Sequence, residues 1–176
     1  MTKNIVIYYS RKGQNYVNGN IKSLTKGNTE ICANFICSAI KSDIFEIETV
    51  NEYSPNYTIC TEEAKDELNK NARPKLKQYI DNIDKYDNIF ILGPCWWGTY
   101  PMAIFSQLEK LDFTGKTVAA LVTHEGSGIA SCETDLKKIC KGAKFKKSLA
   151  VKGANVTQSK DIIVNWAKDI AMSDKK

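Results

Sequence analysis

The stretch Asn88-Ile-Phe-Ile-Leu-Gly-Pro-Cys-Trp-Trp-Gly-Thr-Tyr-Pro101 runs four large apolar residues into a Gly-Pro turn signal and then into two adjacent tryptophans. Ile89 to Leu92 are too few for a helix and show no polar alternation, so they read as a strand buried on both faces. Strands covered on both sides belong to parallel sheets, whose crossovers place helices on each face. Trp96 and Trp97 then stand in the loop at the strand's end. Loops run over the surface and carry function, so two large rings placed there ask for a partner such as a flat aromatic ligand.

Working outward from this strand, the same alternation repeats. Asn4 to Tyr9 is an apolar, β-branched run that reads as a first buried strand, and Glu30 to Lys41 places apolar residues at helical spacing. Ile44 to Val50 alternates apolar and acidic residues as a second strand. The charged segment opening at Thr61-Glu62-Glu63-Ala64 has the oxygen and early acids of a helix start; Pro74 interrupts it, and the pattern resumes through Tyr79, Ile80 and Ile83, giving two helical pieces or one kinked helix. A helix from about Pro101 to Leu111 follows the tryptophan loop. Lys116 to Thr123 makes a fourth strand, Cys132 to Lys141 a helix, Phe145 to Val151 a fifth strand, and Ser159 to Met172 a closing amphipathic helix. Five strand-then-helix repeats predict an α/β domain spanning 1–176, with a parallel sheet and ligands bound outside the carboxyl ends of its strands.

Composition bounds the function classes. Hydrophobic content of 43%, charged content of 26% and a net charge of +5 are those of an ordinary globular chain. No run approaches the roughly 20 apolar residues that span a bilayer, and no signal-peptide pattern is present, which predicts a cytoplasmic protein without a membrane partner. The lysine clusters at 144, 146 and 147 and at 175 and 176 read as solvated faces rather than a nucleic-acid stripe, because no aromatic residues interleave them. Six cysteines form no C-x-x-C pair and have no histidine set beside them, so no metal site is expected. Cys32, Cys37, Cys132 and Cys140 fall in helical patterns as small hydrophobes. Cys60 and Cys95 lie in loops, and neither has basic neighbours in sequence that would lower a thiol pKa.

Three loops fall on the carboxyl edge in this arrangement. The first runs from Ser10 to about Asn28, since Gly13, Gly19 and Gly27 disfavour helix, and ends in Lys26-Gly27-Asn28-Thr29-Glu30. A glycine followed by amide and hydroxyl donors at a helix N-terminus suits an anion. The alternative is that Asn28 or Thr29 merely caps the helix. The second loop carries the tryptophans, and the third is Thr123-His124-Glu125-Gly126-Ser127-Gly128.

In these motifs the chain resembles the flavodoxin family. Removing residues 12 to 25 would leave Ser-Arg-Lys-Gly-Asn-Thr, which is similar to the family's phosphate loop split by an insertion. Gln14-Asn15-Tyr16, Gly27 to Glu30, Trp96 to Met102 and Thr123 to Gly128 follow, in order, the pattern of one flavodoxin-like branch. The resemblance implies a three-layer fold with a five-stranded parallel sheet of order 2-1-3-4-5, and FMN as cofactor. It implies that Ser10, Gly27, Asn28 and Thr29 hold the phosphate, with Arg11 and Asn15 contributing. It implies Trp97 stacked on the isoalloxazine, with Trp96 flanking it or packing inward, and Pro94, Cys95 and Gly98 near the ring's N5 edge. His124, Glu125, Gly126, Ser127 and Gly128 would border the pyrimidine side. Both tryptophans could instead pack under a lid, and His124 could be a plain loop residue or deliver protons.

Two function classes follow from the resemblance. One is a carrier that cycles FMN between oxidised, semiquinone and hydroquinone states and serves redox partner proteins. The other is an FMN-dependent NAD(P)H reductase acting on a quinone or another small-molecule acceptor. The insertion at 12–25 and the loop from Tyr53 to Thr61 could build a docking surface for the former or a pocket for the latter. A basic chain departs from the acidic character of typical carriers of this kind. Gly126 to Ser131 falls short of a nicotinamide fingerprint, because it ends in serine, follows a late strand and lacks the downstream acid. No G-x-x-x-x-G-K-[ST] occurs, and the acidic pair of a response regulator is replaced by Tyr8-Tyr9-Ser10.

Overall fold

In chain order the elements are β1 (Asn4–Tyr8), β2 (Gly13–Val17), β3 (Asn20–Leu24), α1 (Asn28–Ile40), β4 (Asp43–Glu46), α2 (Tyr57–Asn69), β5 (Asn88–Pro94), α3 (Met102–Leu108), β6 (Thr117–His124), α4 (Cys132–Ile139), β7 (Lys144–Phe145), β8 (Leu149–Lys152) and α5 (Lys160–Met172). They come from a computed structural model that describes residues 2–173. The Lys175 and Lys176 cluster lies outside the described residues.

The main sheet runs β4-β1-β5-β6-β7, with β8 also on β6, and every pairing is parallel. The five positions keep the expected order 2-1-3-4-5, with the fifth split into β7 and β8. The split has a local cause: the Trp166 indole N–H donates to the Lys147 carbonyl at 2.7 Å, and the Ser148 hydroxyl donates to Glu133 at 2.6 Å, so side chains satisfy the interrupted edge.

Alternation along the central strands assigns each side chain to one of two cores. Ile5, Ile7, Ile89, Ile91, Val118 and Ala120 face the layer with α3 and α4, while Val6, Tyr8, Phe90, Leu92, Ala119 and Leu121 face α1 and α5. Each fully buried Ile, Leu or Phe contributes about 1.5–3 kcal/mol, so the doubly covered β1, β5 and β6 anchor the fold. Among the described residues, no helix is long and apolar enough to cross a membrane.

Two segments depart from the expectation. The helix expected at Thr61 starts at Tyr57, because Asn56 Oδ1 accepts from the Ile59 amide at 3.0 Å and so supplies the cap. Its second piece does not form. Pro74 pushes the residue before it out of the helical region, and Leu76 instead bridges Thr49 in antiparallel fashion. The Gln107 side chain then takes the place of helical hydrogen bonds at Ile80, accepting from its N–H at 2.8 Å and donating to its carbonyl at 3.0 Å. The helical spacing of Tyr79, Ile80 and Ile83 thus marks an extended segment that buries Ile83 against α3.

The other departure is residues 13–24, read as a loop and folded as an antiparallel hairpin of β2 and β3. Its turn residues Asn18 and Gly19 have φ of 48° and 82°, the tight turn for which Asn-Gly is the preferred pair.

Candidate functional site

The carboxyl ends of β1, β5 and β6 open into two adjoining clefts that share Arg11, Asn15, Tyr57, Cys95 and Trp96. One, of about 120 Å³, reaches the N-terminus of α1, where Ser10, Asn28 and Thr29 line it. The other, of about 300 Å³, ends at Trp97 and Thr61. His124, Glu125 and Pro94 border the first cleft. Gly27, Gly98 and the run Gly126 to Gly128 line neither cleft.

At the α1 end the donors are neutral. The first N–H groups of a helix have no intrahelical acceptor. Ser10 Oγ accepts from the Glu30 amide at 3.0 Å, which leaves its own hydroxyl proton for another acceptor and leaves the Asn28 and Thr29 amides at the helix mouth. Gly27, the residue before the helix, offers no side-chain cap. Neither Asn28 nor Thr29 caps; both are helical, so the alternative reading of these residues as caps does not hold. Gly27 is obligatory for packing: a Cβ there would fall on Ser10 Oγ and 2.6 Å from the Arg11 carbonyl. Thr29, 2% exposed, shares a 2.8 Å hydrogen bond with Thr123 across to β6, so its hydroxyl fastens the helix while its amide stays at the mouth.

Arg11 and Asn15 sit at the clefts but spend their polar groups on the backbone. Arg11 donates to the carbonyls of Gln14 (2.9 Å), Ser54 (2.9 Å) and Pro55 (3.2 Å), and Asn15 donates to those of Arg11 and Gly13. These bonds pin the hairpin against the 53–57 loop, as does Gln14 Oε1, which accepts from the Tyr57 amide at 2.8 Å. Glu125 fixes the hairpin's far end, accepting from the Asn18 amide at 3.2 Å through Oε2. Its Oε1 is buried and has no hydrogen-bond partner among the described residues. Gly153 makes room for it, since a Cβ there would lie 2.7 Å from that oxygen and against the Asn28 amide.

The tryptophan end is built differently. Trp96 and Thr99 exchange backbone hydrogen bonds around Trp97 and Gly98, whose φ values of 54° and 83° define a tight two-residue turn. Trp96 packs inward, edge-on to Tyr9 at 5.3 Å and Tyr53 at 5.2 Å. Trp97 stays 51% exposed, donating its indole N–H to the Thr61 carbonyl at 2.8 Å with the Lys65 ammonium 4.9 Å from its ring. Tyr57, stacked on Tyr16 at 6.2 Å, joins the two clefts.

Cys95 lies where the clefts meet, and the Cys132 thiol from the start of α4 stands against it. Hydrogen bonding from Cys132 pulls the Cys95 thiol down to about 6, helped by Ser127 and the Gly98 backbone and opposed by burial. The Cys132 thiol is correspondingly pushed up, by its bond to Cys95 and by burial. No basic neighbour acts on Cys95, as its sequence context implied; the donors that lower its thiol come instead from Cys132, Ser127 and the Gly98 backbone. His124 is held below its usual range by burial, reinforced by Lys152 and opposed by Glu125, and its Nδ1 accepts from the Gly126 amide at 3.0 Å.

Sequence reasoning missed Tyr57, Gly153, Lys65 and the roles of Thr123 and Cys132. Tyr57 and Thr123 left a signal, the one in the 53–61 loop already suspected of building a pocket and the other at the start of the third loop.

A flavodoxin family model matches residues 22–170. The chain belongs to the flavodoxin family. The match takes in α1, the tryptophan turn and the His124 loop, and it begins after Ser10. No curated protein sequence matches the chain. Among solved structures, this flavodoxin is similar to a putative flavoprotein from Bacteroides uniformis ATCC 8492, at 24% identity over 95% of this chain and 98% of the other, with a TM-score of 0.73. It is also similar to one from Bacteroides eggerthii DSM 20697, at 25% identity, 93% and 98% coverage and a TM-score of 0.69. A third is a flavoprotein from Lactobacillus acidophilus NCFM solved in complex with FMN, at 22% identity, 90% and 98% coverage and a TM-score of 0.62.

As a flavodoxin the chain takes FMN as its cofactor, and the residues fit that group. The cradle that only glycine at 27 permits, with a hydroxyl and helix-mouth amides around it, suits a phosphate. The orphaned Glu125 oxygen suits a hydroxyl or ring N–H donor further along the same cleft.

Proposed function

We propose that this flavodoxin is an electron carrier between partner proteins. The observation that carries the reading is the size and rim of the aromatic cleft. At about 300 Å³ it lies at the small end of ligand pockets, so a flavin ring seated there would take up most of it. The half-exposed Trp97 supports the reading, since a ring held beside it would be within reach of a partner at the surface.

When bound, FMN supplies the redox chemistry, accepting one or two electrons. The chain's residues hold and bias it. Ser10, Asn28 and Thr29 would bind the phosphate through hydroxyl and amide donors over Gly27, with Arg11 and Asn15 holding the hairpin that borders them. Glu125 would accept from the ribityl chain or the pyrimidine side, beside His124 and the Gly126-Ser127-Gly128 run. Trp97 would cover the ring, with Trp96 fixed behind it and Pro94, Cys95 and Gly98 along the N5 edge. Cys95, whose thiol is lowered by its donors, would disfavour added negative charge on a ring held beside it. The net charge of +5 and Lys65 beside Trp97 call for an acidic face on the partner. The six free cysteines fit a reducing compartment, in keeping with a cytoplasmic carrier.

The test is the visible spectrum of the purified protein followed by stepwise anaerobic reduction. Flavin absorbance that bleaches in two one-electron stages, unaffected by added NADH or NADPH, supports the carrier. Rapid two-electron bleaching by either nucleotide assigns the protein to the reductases instead. A protein that neither carries nor binds FMN removes both readings.

A further inference from the structure

The Cys132 thiol is used by neither phosphate nor ring binding, and it lies beneath Cys95, which would border the ring, as a resolving thiol lies beneath an attacking one. Cys95 is half-buried and opens onto both clefts, whereas Cys132 is fully enclosed beneath it. Backbone bonds fix both sides of the pair: the Cys95 amide donates to the Thr123 carbonyl at 2.8 Å, and the Ser131 amide donates to the Gly98 carbonyl at 2.8 Å. The Thr99 hydroxyl, which donates to Asp135 at 2.8 Å, adds a third tie between the tryptophan turn and α4. The tryptophan turn is thereby tied to the start of α4, with Cys95 packed against the core cluster that contains Cys132.

We propose that Cys95 and Cys132 form a peroxide-oxidised, reversible disulfide at the floor of the cofactor cleft. The Cys95 thiolate attacks one oxygen of a small hydroperoxide; the S–O bond forms, the O–O bond breaks, and the displaced oxyanion takes a proton from water and leaves as an alcohol, or as water from hydrogen peroxide. Cys95 is thereby oxidised by two electrons to the sulfenic acid and the peroxide is reduced. The Cys132 sulfur then attacks the Cys95 sulfur, the S–S bond forms, and hydroxide departs, taking up the Cys132 proton as water. A dithiol reductant restores both thiols by exchange. Cys95 is the attacking partner because it opens onto the clefts while Cys132 is enclosed, and the donors of Cys132 and Ser127 lower its thiol. Cys60 is the internal control. It lines the aromatic cleft too, but burial pushes its thiol up and no second thiol faces it.

The chemistry needs only the peroxide and is independent of the cofactor's role as carrier. The test treats the protein as purified with hydrogen peroxide and maps its cysteine peptides by mass spectrometry. The expected product is one intramolecular link between the Cys95 and Cys132 peptides, reversed by dithiothreitol, with Cys95 lost at least about tenfold faster than Cys60. In Cys132→Ser the link is absent and dimedone traps Cys95 as its sulfenic acid. In Cys95→Ser, Cys132 stays reduced. The unsubstituted protein decides the matter even if a variant fails to fold. Links only between molecules, oxidation of Cys60 first, or an intact Cys95 would overturn the proposal.

Discussion

The two ends of the cleft solve different problems with different materials. At the α1 end a hydroxyl, a helix mouth and a bare glycine face the ligand, and the one nearby guanidinium is turned to backbone carbonyls. At the tryptophan end aromatic rings and two thiols do the work, with one ring sunk in the core and its neighbour exposed. The first is a site of fixed neutral dipoles, suited to holding a charged group that never changes. The second is polarisable and bears the one perturbed thiolate, suited to a group whose charge does change.

Substitutions can break that contrast. The largest effect belongs to Gly27→Val, which pushes a side chain into Ser10 and the Arg11 carbonyl; FMN titrations should show affinity lost by about a hundredfold, or about 3 kcal/mol. A loss under threefold would place the phosphate elsewhere. Next comes the tryptophan pair. Trp96→Ala, which empties the space between Tyr9 and Tyr53, should cost about 3 kcal/mol in chemical denaturation. Trp97→Ala should leave stability within about 0.5 kcal/mol and act on the flavin spectrum and potential instead. Equal destabilisation by both would mean that Trp97 belongs to the core. Ser10→Ala, which removes the acceptor for the Glu30 amide, should lower stability by about 1 kcal/mol, read as a fall in Tm.

A pH experiment sharpens the other end. Below about 6 the Cys95 thiol is protonated and alkylation by iodoacetamide is slow; above it the thiolate reacts quickly. Cys132→Ala removes the main donor, so the midpoint should rise toward that of a free thiol, and an unchanged midpoint would discard the thiol pair as its cause. Because the folded Cys95 value lies below the free one, ionised Cys95 adds stability that is lost as pH falls through about 6, while the raised Cys132 thiol offsets it above the free-thiol range. Gly98→Ala, whose φ of 83° strains any side chain, should match Ser10→Ala in size; about 1 kcal/mol should be lost, seen as a lower urea midpoint.

The sheet was legible because β1, β5 and β6 are unbroken apolar runs that nothing else in the chain imitates. The 70–87 segment was not. Its apolar spacing matched a helix, and only Gln107, distant in sequence, clasps Ile80 in an extended path. The hairpin left a readable mark in Asn18-Gly19, whose glycine was taken only as a helix breaker. At the site, the glycine before α1 and the tryptophan loop stood out in the local pattern, whereas their assignment to a phosphate and a ring came from the resemblance to the flavodoxin family. Arg11's engagement with Ser54 and Pro55, and the meeting of Cys95 with Cys132, depend on segments brought together by topology, which no window of sequence contains.

The hairpin also bears on how such a chain can be rebuilt. It departs after Arg11 and comes back at Gly27, whose backbone lies directly against the Arg11 carbonyl, so the excursion begins and ends at one point. Closing a loop costs little more as it lengthens, and none of this hairpin's strands joins the main sheet. The segment is topologically an appendix, a handle that can be shortened, exchanged or extended without rethreading a single sheet strand.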